Sequence, residues 1–221
     1  MSADALNAIG RDVLHELAPV ARRAADLDAR SIARIRTTTD SASLYVRLPF
    51  GVLVGRTIRT ADEHAKALDV ALRATELIDW VEDETATEPE RRDTDWRTGL
   101  PPATGWQRIE TIPDDVIRPL VRAGALALKD AAEREGVPGA QPRAEVADAL
   151  LNSIVLTAHG DAPNNTARAD ISLRALSALT RMGFLKRGSS AHIDISGRWI
   201  RIAAEYGTVF LERPGSGLSL A

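Results

Sequence analysis

The sequence predicts an α+β fold: two small antiparallel-sheet-plus-helix halves joined by an acidic, Trp-containing segment. Three observations carry this. Apolar residues recur at spacings of three and four over 3–25, 60–83, 113–136 and 172–183, the mark of helices with one buried face. Between them lie runs such as "SLYVRLPFGVLVG", where apolar and polar residues alternate as in a half-buried strand. From Glu82 to Asp95 the chain holds seven acids against two arginines, and Gly99, Pro101, Pro102 and Gly105 follow. Such a stretch can bury little. The expected divisions are 1–81, a linker or strap over 82–112, and 113–221.

In the first half, Leu6, Ile9, Val13, Leu14, Leu17 and Val20 line one stripe of a helix that Ser2 or Asp4 could cap. The stripe suits a core or a homodimer contact through 3–25. Pro19 predicts a kink or break near Ala18. "SIARIRTTT" and "SLYVRLPFGVLVGRTIRT" predict three antiparallel strands, with a turn or bulge at Pro49-Phe50-Gly51. Residues 60–83 then read as one helix, opened by Thr60 with Glu63 as a capping box.

In the second half, Pro113 with Asp114 and Asp115 predicts a helix start, and Gly136 a stop. "RAEVADALLNS" predicts a further helix. Residues 154–171 read as a hairpin around "HGDAPNN", or as a continuation of that helix to Ala158; Ile154, Val155 and Thr157 favour strand. A helix over 172–183 and strands at "HIDIS", "RWIRIAAEY" and "TVFLER" follow, and "PGSGLSLA" reads as a loose tail.

Composition narrows the function. The 221 residues are 44 % hydrophobic, enough for a core without staples, and cysteine is absent, so disulfides and thiolate metal sites are excluded. No apolar run is long enough for a membrane span, and the start lacks the pattern of a secretory signal, so the expected setting is the cytoplasm. The net charge of −3 argues against a general polyanion binder, although the part from Arg143 onward carries +2. His15, His64, His159 and His192 form no ligand spacing, and no nucleophile elbow or phosphate loop occurs. No catalytic, cofactor or metal residue is therefore assigned. Four of the nine aromatic residues are tryptophan. Trp96 and Trp106, in the joining segment, are the candidate partner-binding or strap residues.

"LRALSALTRMGFLKRG…HIDIS…RWIRI" resembles the recognition helix and wing of winged helix-turn-helix regulators. That resemblance implies Arg174, Ser177 and Arg181 facing a DNA groove, with Lys186 and Arg187 near the wing. It also requires a helix over 159–171. "ALSALTRMGFL" and "LPPATGWQRI", in an Ala/Arg-rich chain, resemble a conserved protein family of high-GC bacteria, which implies a bacterial protein and no mechanism. Three functions follow in order: a non-enzymatic binding or scaffold protein acting through protein partners or itself, a DNA-binding regulator using 172–202, and an enzyme whose site is assembled from distant residues.

Overall fold

The computed structural model describes residues 6, 9–60, 67–134, 140–160 and 167–213. Ser2, Asp4, Glu63, His64, Gly136, most of "HGDAPNN" and the tail beyond Arg213 lie outside the described residues. The chain divides into two units, Met1–Leu100 and Pro101–Ala221. The fold is α+β with antiparallel sheets.

The first unit contains α1 (Arg11–Leu27), β1 (Ile32–Thr37), β2 (Ser41–Arg47), β3 (Leu53–Arg59), β4 (Asp69–Arg73) and α2 (Ala74–Glu82). Its strands run in the order β4-β1-β2-β3. The pairing Ile35↔Leu44 and Ile35↔Val70 places buried apolar residues in one row. Helix α1 packs on α2, β2 and β3. Its Leu14, Leu17, Val20 and Ala21 are buried, so the stripe expected to serve a core or a homodimer is occupied by the unit's own core. Each leucine or valine among them contributes about 1.5–3 kcal/mol when fully buried.

Of the kink or break expected near Ala18, the break does not occur: α1 runs through Pro19. The ring lies on the exposed side, so only one backbone hydrogen bond is lost while the opposite face stays packed. Gly10, at φ 85°, stands at the N-cap of α1. The sheet has four strands rather than three, because residues 69–73 of the expected long helix form β4. Val70 and Leu72 join the core beside β1, and Asp69 receives two hydrogen bonds from Arg34. Over 69–73 helical spacing lost to strand pairing, and α2 follows directly at Ala74.

The acidic segment has its own structure. Arg91 bridges Leu72, Arg92 N–H donates to the Ala71 carbonyl at 2.7 Å, and Ala71 N–H donates to Asp93 at 2.8 Å. This covers an edge of β4 that would otherwise present open backbone groups. The later part, Gln107–Pro113, is a sheet strand, not linker.

The second unit holds that strand, β5, then α3 (Asp114–Arg134), α4 (Ala140–Asn152), β6 (Ile154–His159), β7 (Arg168–Ser172), α5 (Leu173–Arg181), β8 (Ser190–Ser196), β9 (Trp199–Ala204) and β10 (Gly207–Glu212). Strands β10-β9-β8-β5 form one antiparallel sheet, and β6 and β7 pair as a hairpin. The hairpin resolves the alternative left open over 154–171, and β-branched residues decided it. Helix α5 packs against α3, α4 and β10. Leu176, Leu179, Phe184, Ile193, Ile202 and Val209 are fully buried around it. Gly124 lets α3 approach α5, since a Cβ there would overlap Leu173.

Candidate functional site

The four tryptophans share one device. An arginine guanidinium lies over each ring: Arg11 over Trp80 at 5.0 Å, Arg34 over Trp96 at 5.8 Å, Arg201 over Trp106 at 4.5 Å and Arg198 over Trp199 at 5.9 Å. The negative ring face attracts the cation, and the arginine stem adds apolar contact. Trp80 and Trp199 are buried, whereas Trp96 and Trp106 are half-buried.

Trp106 stands at the end of the Pro101–Trp106 stretch of the second unit. Its indole N–H donates to the Pro102 carbonyl at 2.9 Å, and its ring meets Phe210 at 6.1 Å. Below it a polar row crosses the sheet. Arg108 on β5 is opposite Asp194 on β8, which is opposite Arg201 on β9, itself opposite Phe210 on β10. Asp194 is 2 % exposed and accepts from Arg201 Nε at 2.7 Å and Arg108 Nε at 3.2 Å. One arginine thus touches both a buried carboxylate and the tryptophan. This row holds the stretch on the sheet. The next row joins Thr111 and His192, whose Oγ1 and Nδ1 are 3.0 Å apart. Burial, then the charge of Arg108, hold His192 below its ordinary pKa, against the opposing pull of Asp194.

Trp96 lies in the first unit. Its indole N–H donates to the Thr98 carbonyl at 2.5 Å, and Arg47 Nη1 donates to the Thr98 hydroxyl at 3.3 Å. These bonds fix residues 96–98 beside the end of β2. Between them and the C-terminus of α1 runs a groove of about 380 Å³, lined by Arg47, Leu48, Pro49, Trp96 and Arg97 among others.

The residues named for DNA reading are not presented together as free groups. Arg174 and Ser177 are half-buried and Arg181 is exposed on α5. Arg174 is bonded to Asp148 and Asn152 of α4, which packs beside α5. Lys186 donates to Glu205 at 3.1 Å, which raises its pKa, while Arg187 is exposed. Residues 168–172, part of the helix that a DNA reader needs, are strand β7.

Sequence reasoning missed the Arg108–Asp194–Arg201 row. A signal was present: "HIDIS" and "RWIRI" set a charge between isoleucines in consecutive strands, so both point away from the apolar face. The groove had no such signal, since its residues come from three separate segments. Among the described residues, no group of three or more His, Asp or Glu could hold a metal ion, and no helix is long and apolar enough to cross a membrane.

With this architecture, solved structures become comparable. The chain is similar to the DNA polymerase sliding clamp of Bacillus subtilis, with TM-score 0.58 and 14 % identity, over 91 % of this chain and 62 % of that one. It is similar to the H. pylori beta clamp in complex with diflunisal, with TM-score 0.52 and 11 % identity, over 91 % and 61 %. The Pseudomonas aeruginosa sliding clamp with ligand matches at TM-score 0.50 and 11 % identity, over 91 % and 63 %. The fold is therefore sliding-clamp-like, and the chain spans about 62 % of the length of the B. subtilis clamp. The chain belongs to the family of the domain of unknown function DUF8185, whose model matches residues 101–216. No curated protein matches it in sequence.

Proposed function

We propose that this protein is a non-enzymatic scaffold that acts in the bacterial cytoplasm by holding other proteins. The observation that carries this reading is the charge of its helices. Helix α1 has three cations and three acids, α2 has three acids and no cation, and α3 has four of each. Of the two arginines on α5, Arg174 is already bonded to α4. A face that tracks nucleic acid needs an excess of unpaired cations. A clamp-like frame whose helices together carry no excess of cations suits protein partners, a second copy of the chain included.

The test is affinity capture with the full chain, followed by calorimetric titration of each captured protein after purification. Saturable binding of at least one purified partner is expected. Failure of every purified partner, together with salt-sensitive binding of duplex DNA that is lost in R181A/K186A/R187A, would overturn the reading in favour of a DNA regulator.

A further inference from the structure

We infer that the groove beside Trp96 binds an extended peptide that carries a carboxylate next to an apolar side chain. The inference rests on the scaffold reading and names the chemistry of one partner contact.

The argument begins with two guanidinium groups. Arg47 ends β2 and is exposed, and Arg97 is exposed beside Trp96. Among the described residues neither has a carboxylate within ion-pair reach; Arg47 meets only the Thr98 hydroxyl. Several other arginines of this unit are paired, as in Arg34–Asp69, Arg73–Glu76 and Arg92–Glu90. Even within the groove, Asp28 accepts both the backbone N–H and Nε of Arg30. Two unpaired forks on one groove are a ready partner for carboxylate oxygens, which they can grip with parallel hydrogen bonds.

The groove is also formed in advance. Trp96 and Arg47 both bond Thr98, and Arg34, held by Asp69, lies over the Trp96 ring. Trp96 and Arg47 therefore have little side-chain freedom to lose on binding. Pro49 is exposed at the groove wall and Trp96 is half-buried there, so an apolar side chain has a surface to lie on. A volume of about 380 Å³ lies within the range of ligand clefts.

The acids of the groove choose between anions. Asp95 is exposed and Asp28 half-buried in the same lining. A nucleotide polyphosphate would bring several charges against them. An extended peptide brings one carboxylate for the arginines and backbone N–H donors for the acids. The mixed lining therefore fits a peptide.

The experiment uses the full chain and two pools of fluorescein-labelled heptapeptides. Both pools are randomised over apolar residues, with glutamate fixed at the centre of one and glutamine in the other. Anisotropy should show saturable binding of the glutamate pool, weaker by about tenfold for the glutamine pool, as for one lost charge-assisted contact. R47Q/R97Q and W96A should each weaken the glutamate pool by a similar factor of about ten. Both arginines are exposed, and an unchanged melting temperature for R47Q/R97Q keeps that comparison valid when W96A fails to fold. Equal binding of the two pools, indifference to R47Q/R97Q, or displacement of the peptides by ADP would overturn the inference. If R47Q/R97Q still takes every purified partner with wild-type affinity, the groove inference falls and the scaffold reading stands. If the wild type takes no purified partner yet binds the glutamate pool as described, the groove stands and the scaffold reading falls.

Discussion

Replacing Arg201 with methionine should destabilise the second unit more than any other single change on the exposed face of its sheet. The reason is the position of Asp194. Its carboxylate is 2 % exposed and has two partners, of which Arg201 at 2.7 Å is the shorter and the less exposed. Methionine keeps the stem against Trp106 and removes the charge. The hydrogen bond to a charged group contributes about 1.5–3 kcal/mol, and the cation over a half-buried ring about 0.5–1 kcal/mol. Arg108 remains and offsets part of the loss, so a net cost of about 2 kcal/mol is expected. For a chain of this size that lowers the melting temperature by roughly 4–8 °C. R108M should cost less, about 0.5–1 kcal/mol, because its side chain is 53 % exposed and its bond is longer at 3.2 Å. D194L/R201M should recover at least about 1 kcal/mol relative to R201M, since no buried charge is then left with a weakened partner. Calorimetry measures all three, and tryptophan emission reports the release of Trp106. Equal costs for R201M and R108M, or a double variant less stable than R201M, would refute the reasoning that the buried carboxylate governs this row.

Other predictions concern packing and pH. Gly207→Ala places a Cβ closer than 3.0 Å to the ring of Phe184, which is fully buried, so thermal melting should show a loss of about 1–3 kcal/mol from overpacking. Leu176→Ala, at a fully buried position of α5, should cost about 2–5 kcal/mol in chemical denaturation. His192 has a depressed pKa when folded, so its contribution is present above its ordinary value and is lost as pH falls through the folded value. Stability should therefore begin to fall as pH drops through the ordinary histidine value of about 6.5, and H192Q should flatten that slope in denaturant melts. Asp114 is lowered by the hydrogen bond from Arg118 and then by the Gly188 N–H, and Asp170 by the Thr157 hydroxyl and then by Arg168. Their contributions are present above the ordinary carboxylate value and vanish as pH falls through the lower folded values. D114N/D170N should make acid unfolding shallower below about pH 4, as read by circular dichroism.

Much of the fold was legible because local periodicity and burial agree. The stripe of Leu14, Leu17 and Val20 and the alternation of Leu44 and Val46 mark residues that are in fact buried. "SLRALSALTRMG" likewise announced the amphipathic α5. Where the reading failed, the neighbours decided. Residues 69–73 fall within a run of helical spacing, yet β1 offers them a ladder, and Asp69 gains Arg34 by joining it. Pro19 pointed to a kink or a break, and packing on the opposite face of α1 kept the helix continuous.

The candidate sites divide in the same way. Composition and motif alone determined an α+β chain without cysteine chemistry, without a phosphate loop and with conspicuous tryptophans in the joining segment. The sequence could not say that each tryptophan would carry an arginine, because Arg34 and Trp96, or Trp106 and Arg201, are far apart along the chain. Nor could it tell which cations of 172–202 would be neutralised: Arg174 meets Asp148 only because α4 packs beside α5, and Lys186 meets Glu205 only because the chain turns back after β9. Local propensity acts through neighbours in sequence, so one chain displays it. Charge pairing and the assembly of a groove act through neighbours in space, and these exist only after the strands have chosen their order.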